Sequence, residues 1–294
     1  GILMDKLIKA ITKDGFLRVY AVETTETVNA AQKFHTLSPV CCAALGRLMT
    51  AGLMMGAMLK GKEPSLTLQV KGDGPIGMMA SVSDSMGNVK GYCANPVVDI
   101  PLREDGKLDV GTAVGQGMLG VIKDLKMREP YIGQVPLQTG EIGDDIAFYY
   151  MQSEQTPSVV ALGVLVDRDY SVKCAGGYII QVMPECDDAT LTKLENSIQG
   201  LMSVTEMLDK GMSVEEMLKY VMLGFDIEIL ETMDVGYKCD CSKERMERAI
   251  ISLGKGQIQS IIDETGEAEI CCHFCDRRYT FGEEDLKKFL ETAK

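Results

Sequence analysis

Four short windows carry the pattern of a strand. Residues 16–21, 66–70 and 89–93 mix apolar and polar positions in short alternating runs, and 159–166 is apolar almost throughout. Alternation turns one face of a strand to a core, whereas an unbroken apolar run suits a strand covered on both faces. One stretch between them reads as a helix. Ser38-Pro39 combines a cap residue with proline at the first helical position, where its missing N–H is no loss. The run through Cys41-Cys42-Ala43-Ala44-Leu45 to about Leu59 stops before Gly61, and Arg47 is its one charge. A helix apolar nearly all round is expected to be buried against the sheet.

From about Gln181 the period becomes helical. Leu191, Leu194, Ile198 and Leu201 form one stripe. Two further helices open with Ser203-Val204-Thr205-Glu206 and Ser213-Val214-Glu215-Glu216, and stop at Gly211 and Gly224. In such a box the serine oxygen takes an orphan amide while the glutamate reaches back to the cap amide. Helices this short are marginal alone, so they must dock on something. The last segment has a helix from Ser242 through Ala249, Ile250 and Leu253, a second marked by Ile258, Ile261 and Ile262, and a third by Leu286, Phe289 and Leu290. The expected fold class is α+β, with an N-terminal mixed α/β domain (1–180) whose sheet packs on helices. A helical linker (181–232) and a small C-terminal domain (233–294) follow. That last piece is too small to be robust on core burial alone.

A length of 294 residues favours two domains, and 46% hydrophobic content suffices for a sizeable core. The formal charge of -13 argues against nucleic acid, which needs a basic face to displace counterions. The tail from Met233 holds 10 basic and 13 acidic residues, so it is not basic either. Ten cysteines raise the possibility of a secreted disulfide protein, but the chain is too long to need staples. Asp5, Lys6, Lys9, Lys13 and Asp14 also interrupt any signal-like apolar core. Met4 is the expected native start, with Gly1-Ile2-Leu3 a remnant. The longest uncharged, mainly apolar run, residues 48–59, is too short for a bilayer. The expectation is a cytoplasmic protein with no membrane partner.

The candidate chemistry lies near the C-terminus. Cys239-Asp240-Cys241 is followed, after thirty residues, by Cys272-His273-Phe274-Cys275. Four thiolates fill a structural Zn²⁺ site completely. The same sulfurs oxidise readily once metal is lost. Such a site either staples the domain only or also acts as a redox trigger. A thioredoxin-type reading of the C-x-x-C needs a βα turn, whereas residues 276–281 look like a strand. Cys271 is a rival ligand or mispairing partner, or it points away, which is the expectation. His273 is expected at the surface or behind the ligands. Two G-x-G-x-x-G stretches, 72–77 and 115–120, are each followed by a strand-like pattern rather than the helix a dinucleotide site requires, so their glycines are expected to serve turns. Cys41 and Cys42 sit at a helix start, where the dipole can lower a thiol pKa, but their apolar helix favours inert core cysteines. The acidic pairs Asp144-Asp145 and Asp187-Asp188 are expected in solvated turns. With two histidines, no G-x-S-x-G and no H-E-x-x-H, nucleophilic or metalloprotease catalysis has little support, and no enzyme is expected. Methionines number 19; Met202, Met207, Met212, Met217 and Met222 punctuate the linker, where flexible thioethers can pack a core or adapt to varied apolar partners.

The chain closely resembles the 33 kDa heat-shock protein family of redox-regulated bacterial chaperones. The resemblance spans the whole length and rests most on Cys239-Asp240-Cys241-Ser242 with Cys272-His273-Phe274-Cys275. Gly72-Asp73-Gly74-Pro75-Ile76-Gly77, Gly140-Glu141-Ile142-Gly143-Asp144-Asp145, Ser153-Glu154-Gln155-Thr156-Pro157-Ser158 and Ala175-Gly176-Gly177 support it. It implies that Cys239, Cys241, Cys272 and Cys275 hold one Zn²⁺ per chain when reduced. On oxidation they would pair as Cys239–Cys241 and Cys272–Cys275, releasing zinc and activating an ATP-independent holdase for unfolding client proteins. It further implies a homodimer and reversal by cellular thiol reductants. Cys271 is an addition to the family pattern. The alternatives from other classes are a zinc-stapled thiol-disulfide oxidoreductase and a zinc-ribbon binding protein.

Overall fold

A computed structural model describes residues 4–294; Gly1, Ile2 and Leu3, the expected remnant, lie outside the described residues. The chain forms two compact units, Gly1–Lys238 and Cys239–Lys294. The first begins with strands β1 (Asp5–Thr12) and β2 (Leu17–Glu23), then helices α1 (Thr25–His35) and α2 (Pro39–Gly56). Strands β3 (Ser65–Gly72), β4 (Met78–Asp84) and β5 (Asn88–Cys93) follow, then α3 (Val110–Val114), β6 (Gly117–Asp124), β7 (Tyr131–Pro136) and α4 (Gly143–Glu154). Next come β8 (Ser158–Val166), β9 (Val172–Val182), α5 (Asp188–Ile198), α6 (Val204–Asp209), α7 (Val214–Val221) and β10 (Ile227–Tyr237). The second unit contains α8 (Lys243–Ile251), α9 (Lys255–Glu264), the hairpin β11 (Ala268–Cys271) and β12 (Arg278–Phe281), and α10 (Glu283–Thr292). The mixed fold, a large sheet with helices, is the expected class.

The sheet has the order β7-β6-β3-β4-β5-β10-β1-β2-β9-β8. Its two antiparallel halves meet at β10, which runs antiparallel to β1 along its length and parallel to β5 through Gly236 and Tyr237 only. No strand was expected at β10: its first residues, 227–232, fell in the expected helical linker, but they extend along β1 as a mostly exposed strand. Its register explains why it pairs there: Lys6 lies opposite Asp234 and Lys9 opposite Glu231, and both pairs form ion pairs, at 2.6 and 3.1 Å. Exposed cross-strand charges add little stability but disfavour a slipped register.

Helix α2 packs against strands of both halves. Sixteen of its residues are buried, so an apolar segment that by length and composition could cross a membrane is here a core helix. It ends at Gly56, slightly before the expected Leu59. Small residues let it approach closely: the Ser83 hydroxyl donates to the Gly52 carbonyl at 2.7 Å, and a Cβ on Gly56 would strike the Asp84 carbonyl.

The opposite face of the β1-β2-β9 half is covered by α5, α6 and α7. Ile8, Ala10, Val19, Ala21, Tyr178 and Ile180 form one buried cluster with helix residues Leu194, Met207, Leu208, Met217, Val221 and Met222. The expected three helices therefore form and dock. Ser213 makes the full box with Glu216, whereas at Ser203 the serine half forms, accepting from the Glu206 amide at 3.2 Å. Strand β8, apolar from Val159 onward, is an edge strand covered on two sides. Gly163 faces Val204 and Thr205 of α6, and Val164 meets Gly46 of α2.

The two G-x-G stretches stack on each other. Gly72 pairs with Gly117 across β3 and β6, and a Cβ on Gly72 would strike the Val114 carbonyl. Their glycines serve backbone approach, and neither opens a helix onto a phosphate. Asp145, expected in solvent, is buried instead: its carboxylate accepts from the amides of Gln138, Thr139 and Ile142 at 2.6, 3.1 and 2.9 Å and so ties down the turn before α4. Asp187 does cap a helix, accepting from the Thr190 amide at 2.8 Å.

Because Met217 is fully buried between α7 and the sheet, Met217→Ala should cost about 2–5 kcal/mol. Urea denaturation measures the loss, and hydrogen exchange should place it in α5–α7. A change within a few tenths of a kcal/mol would contradict the docked arrangement.

Candidate metal centre

Within the second unit, two short segments bring four thiols together. Cys239 and Cys241 lie in extended chain just before α8, whose cap Ser242 accepts from the Arg245 amide at 3.2 Å. Asp240, between the two cysteines, pairs with Arg245 at 3.0 Å and holds the segment against the first turn. Cys272 and Cys275 occupy the turn of the β11–β12 hairpin. The Cys272 amide donates to the Arg277 carbonyl at 2.8 Å and the Asp276 amide to the Cys272 carbonyl at 2.9 Å. Asp276 closes the turn at φ 59, a left-handed conformation that aspartate tolerates better than most residues.

The four sulfurs lie within 4.8 Å of one another. Cys239 and Cys272 are 3.7 Å apart, and Cys241 and Cys275 are 3.5 Å apart. A tetrahedron with metal–sulfur bonds of about 2.3 Å has sulfur–sulfur edges of about 3.8 Å, so this donor set fits a Zn²⁺-like ion. Cys272 is buried and the other three are half-buried. Cys271 is excluded from the cluster: it is the exposed last residue of β11, and its sulfur lies 3.5 Å from the Asp276 carboxylate. Strand alternation sends it to the opposite side from Cys272. His273 is exposed, as expected.

The thiols differ in acidity. Burial, reinforced by the thiol hydrogen bonds that Cys275 donates, pushes its pKa up to about 12. Burial also raises Cys239. Cys241 resists the same burial, because hydrogen bonds from the Tyr279 hydroxyl and from the Cys275, Cys239 and Cys272 thiols bring it down to about 7. The Tyr279 oxygen is 3.1 Å from its sulfur. One thiolate therefore forms readily near neutral pH, and each further one meets a like charge a few ångströms away. Only a cation reconciles four thiolates in this volume. Tyr279 was missing from the sequence reading; its one signal was a position in the strand leaving the C-x-x-C.

Compared with known proteins, residues 5–282 match the family model "Hsp33 protein". The chain belongs to the Hsp33 family. It is 50% identical to the 33 kDa chaperonin of Clostridium perfringens (strain SM101 / Type A), over 98% of this chain and 92% of that one. It is 48% identical to the 33 kDa chaperonin of Clostridium botulinum (strain 657 / Type Ba4), over 99% and 98%. The crystal structure of the Thermotoga maritima 33 kDa chaperonin superposes with a TM-score of 0.91 at 35% identity, covering 99% of each chain. Membership of this family is consistent with a redox-regulated chaperone and implies a role other than catalysis. The four-cysteine cluster fits metal and redox regulation.

Tyr279→Phe removes the hydroxyl donor to Cys241. In metal-free protein, thiolate formation followed by ultraviolet absorbance should then shift to higher pH than in the parent. An unchanged titration would show that the hydroxyl does not tune this sulfur.

Proposed function

We propose that this protein is an ATP-independent holdase, inactive when its four thiols hold Zn²⁺ and activated when oxidation releases the metal. The observation that carries the reading is the sulfur cluster itself. It lies in a unit whose buried apolar core is only Ile250, Ile258, Phe281, Leu286, Phe289 and Ala293. A core this small rarely holds a domain without a cross-link. Cys239, Cys241, Cys272 and Cys275 would hold one Zn²⁺ per chain. When bound it supplies roughly 10–16 kcal/mol of folding free energy, as in small zinc peptides.

Oxidation acts on the chain's own sulfurs. A peroxide converts one thiolate to a sulfenic acid, releasing its other oxygen as water or alcohol. A neighbouring thiol displaces the sulfenic oxygen as a second water and closes a disulfide. The family resemblance assigns the pairs as Cys239–Cys241 and Cys272–Cys275; thiol spacing alone does not choose between these and the crossed pairs. With its cross-link gone, the second unit unfolds.

Residue 239 directly follows β10, whose C-terminal end is paired with β5 through Gly236 and Tyr237, so an unfolded second unit would act on that strand through the chain alone. We take residues 181–232 to be the linker that then undocks. Release of α5–α7 would bare both their own apolar stripes and the sheet face around Ile8, Val19, Tyr178 and Ile180. A contiguous apolar surface of this kind suits unfolding client proteins. The buried linker methionines would serve twice, as core when docked and as adaptable contact when free. The proposal includes a homodimer, reversal by cellular thiol reductants, and a cytoplasmic setting that keeps the resting thiols reduced. A net charge of -13 speaks against nucleic acid, and burial of α2 against a membrane role for that helix.

The test follows zinc release and suppression of citrate synthase aggregation together during peroxide treatment with mild warming. Zinc should leave as client protection rises, and reductant plus zinc should restore both. Zinc loss with no gain in protection would reduce the site to a structural staple. Separately, Cys239→Ser or Cys272→Ser should abolish stoichiometric zinc by metal analysis and loosen the second unit; tight zinc retained in either variant would refute the ligand assignment.

A further inference from the structure

Away from the metal centre, a second pair of thiols meets in the first unit. Cys41 lies in the first turn of the 18-residue helix α2, and Cys93 is the last residue of β5. Both thiols point at one atom, the Asn95 carbonyl oxygen, at 3.3 and 3.7 Å. Each S–H donates to that oxygen, and the shared acceptor gathers the two sulfurs. Cys42, next in sequence, is in a different state: burial pushes it up to about 12.

Once Cys41 gives up the proton it places on Asn95, the Cys93 thiol can turn from the carbonyl to the Cys41 sulfur; that donor, with the Ser38 hydroxyl and the Val98 amide, lowers Cys41 against its burial. The start of a long helix adds its positive end. Cys93, as the donor, is held protonated. One sulfur is thus prepared to attack and the other to supply a proton. Both are covered by the irregular segment 94–100, in which Asn95 and Val97 face solvent, so a small oxidant has little protein to cross.

We propose that Cys41 and Cys93 are a second redox-active dithiol, which a peroxide closes to a disulfide joining the start of α2 to the end of β5. The Cys41 sulfur takes one peroxide oxygen and becomes a sulfenic acid, while the other oxygen leaves as water or an alcohol. The Cys93 sulfur then displaces the sulfenic oxygen, which leaves as water with the Cys93 proton. Two thiols lose two electrons and the peroxide gains them. The bond would fasten the sheet-and-helix core of the first unit under the same oxidant that loosens the second. The assignment is independent of the metal centre, because none of its atoms belongs to the four-cysteine cluster.

Full-length protein loaded with zinc is treated with hydrogen peroxide in its native state, blocked with an alkylating agent, digested without reductant and mapped by mass spectrometry. The same digest reports on Cys239, Cys241, Cys272 and Cys275, so failure of either assignment is seen separately. A Cys41–Cys93 linked peptide that grows with dose and disappears after reductant is expected. In Cys93→Ser, Cys41 should instead stop at a sulfenic acid trapped by dimedone. If Cys41 and Cys93 stay fully alkylatable while the other four are oxidised, or if Cys41 oxidises without linking to Cys93, the proposal fails.

Discussion

Strands β1, β2 and β9 are apolar on both faces, and that leaves one half of the sheet with two surfaces to cover. Alternate residues of β1 and β2 belong to different clusters: Leu7 and Val22 pack toward α2, whereas Ile8 and Ala21 pack toward α5–α7. Neither covering is optional, since exposing either face would open a large apolar patch to water. The two coverings differ in kind. Helix α2 is a single long apolar helix buried nearly all round. The other face is closed by three short helices, each marginal alone, held by their burial and caps. One face is thus closed by a single continuous helix and the other by three separate short ones.

The second unit meets the opposite constraint. It has little apolar surface to bury, and four sulfurs gather beside its small core. If they hold a metal, as proposed, its stability is chemical as much as physical. Covalent continuity runs from α7 through β10 to Cys239. Strand β10 is mostly exposed; it pairs with β1 along its length and with β5 at Gly236 and Tyr237.

Thiol chemistry in this chain follows placement more than burial. Cys241 is half-buried and acidic because a hydroxyl and neighbouring thiols donate to it. Cys41 is fully buried, and donors at Cys93 and Ser38 lower it against that burial. Cys42 and Cys174 lack such donors, and burial raises both. Cys41 and Cys42 both lie in the core, as expected. Burial alone does not silence a sulfur when hydrogen-bond donors are aimed at it.

Local patterns in the sequence were enough to determine the helix opening at Pro39, the serine caps of α6 and α7, the need of those helices for a docking partner, and the four cysteines whose sulfurs gather in the second unit. Each depends on residues within a turn or two, or on two tight cysteine spacings whose chemistry has few other uses. Strand β10 was not legible, because its partner is strand β1, and the charges on β1 that fix its register lie more than 220 residues away in sequence. Nor was the burial of Asp145, the mutual stacking of the two G-x-G segments, or the hydroxyl of Tyr279 beside Cys241. The meeting of Cys41 and Cys93 was equally hidden, since a helix start and a strand end carry no mark of each other. These features belong to contacts between distant segments, and only the closed tertiary structure decides which distant groups share a space from which water is excluded.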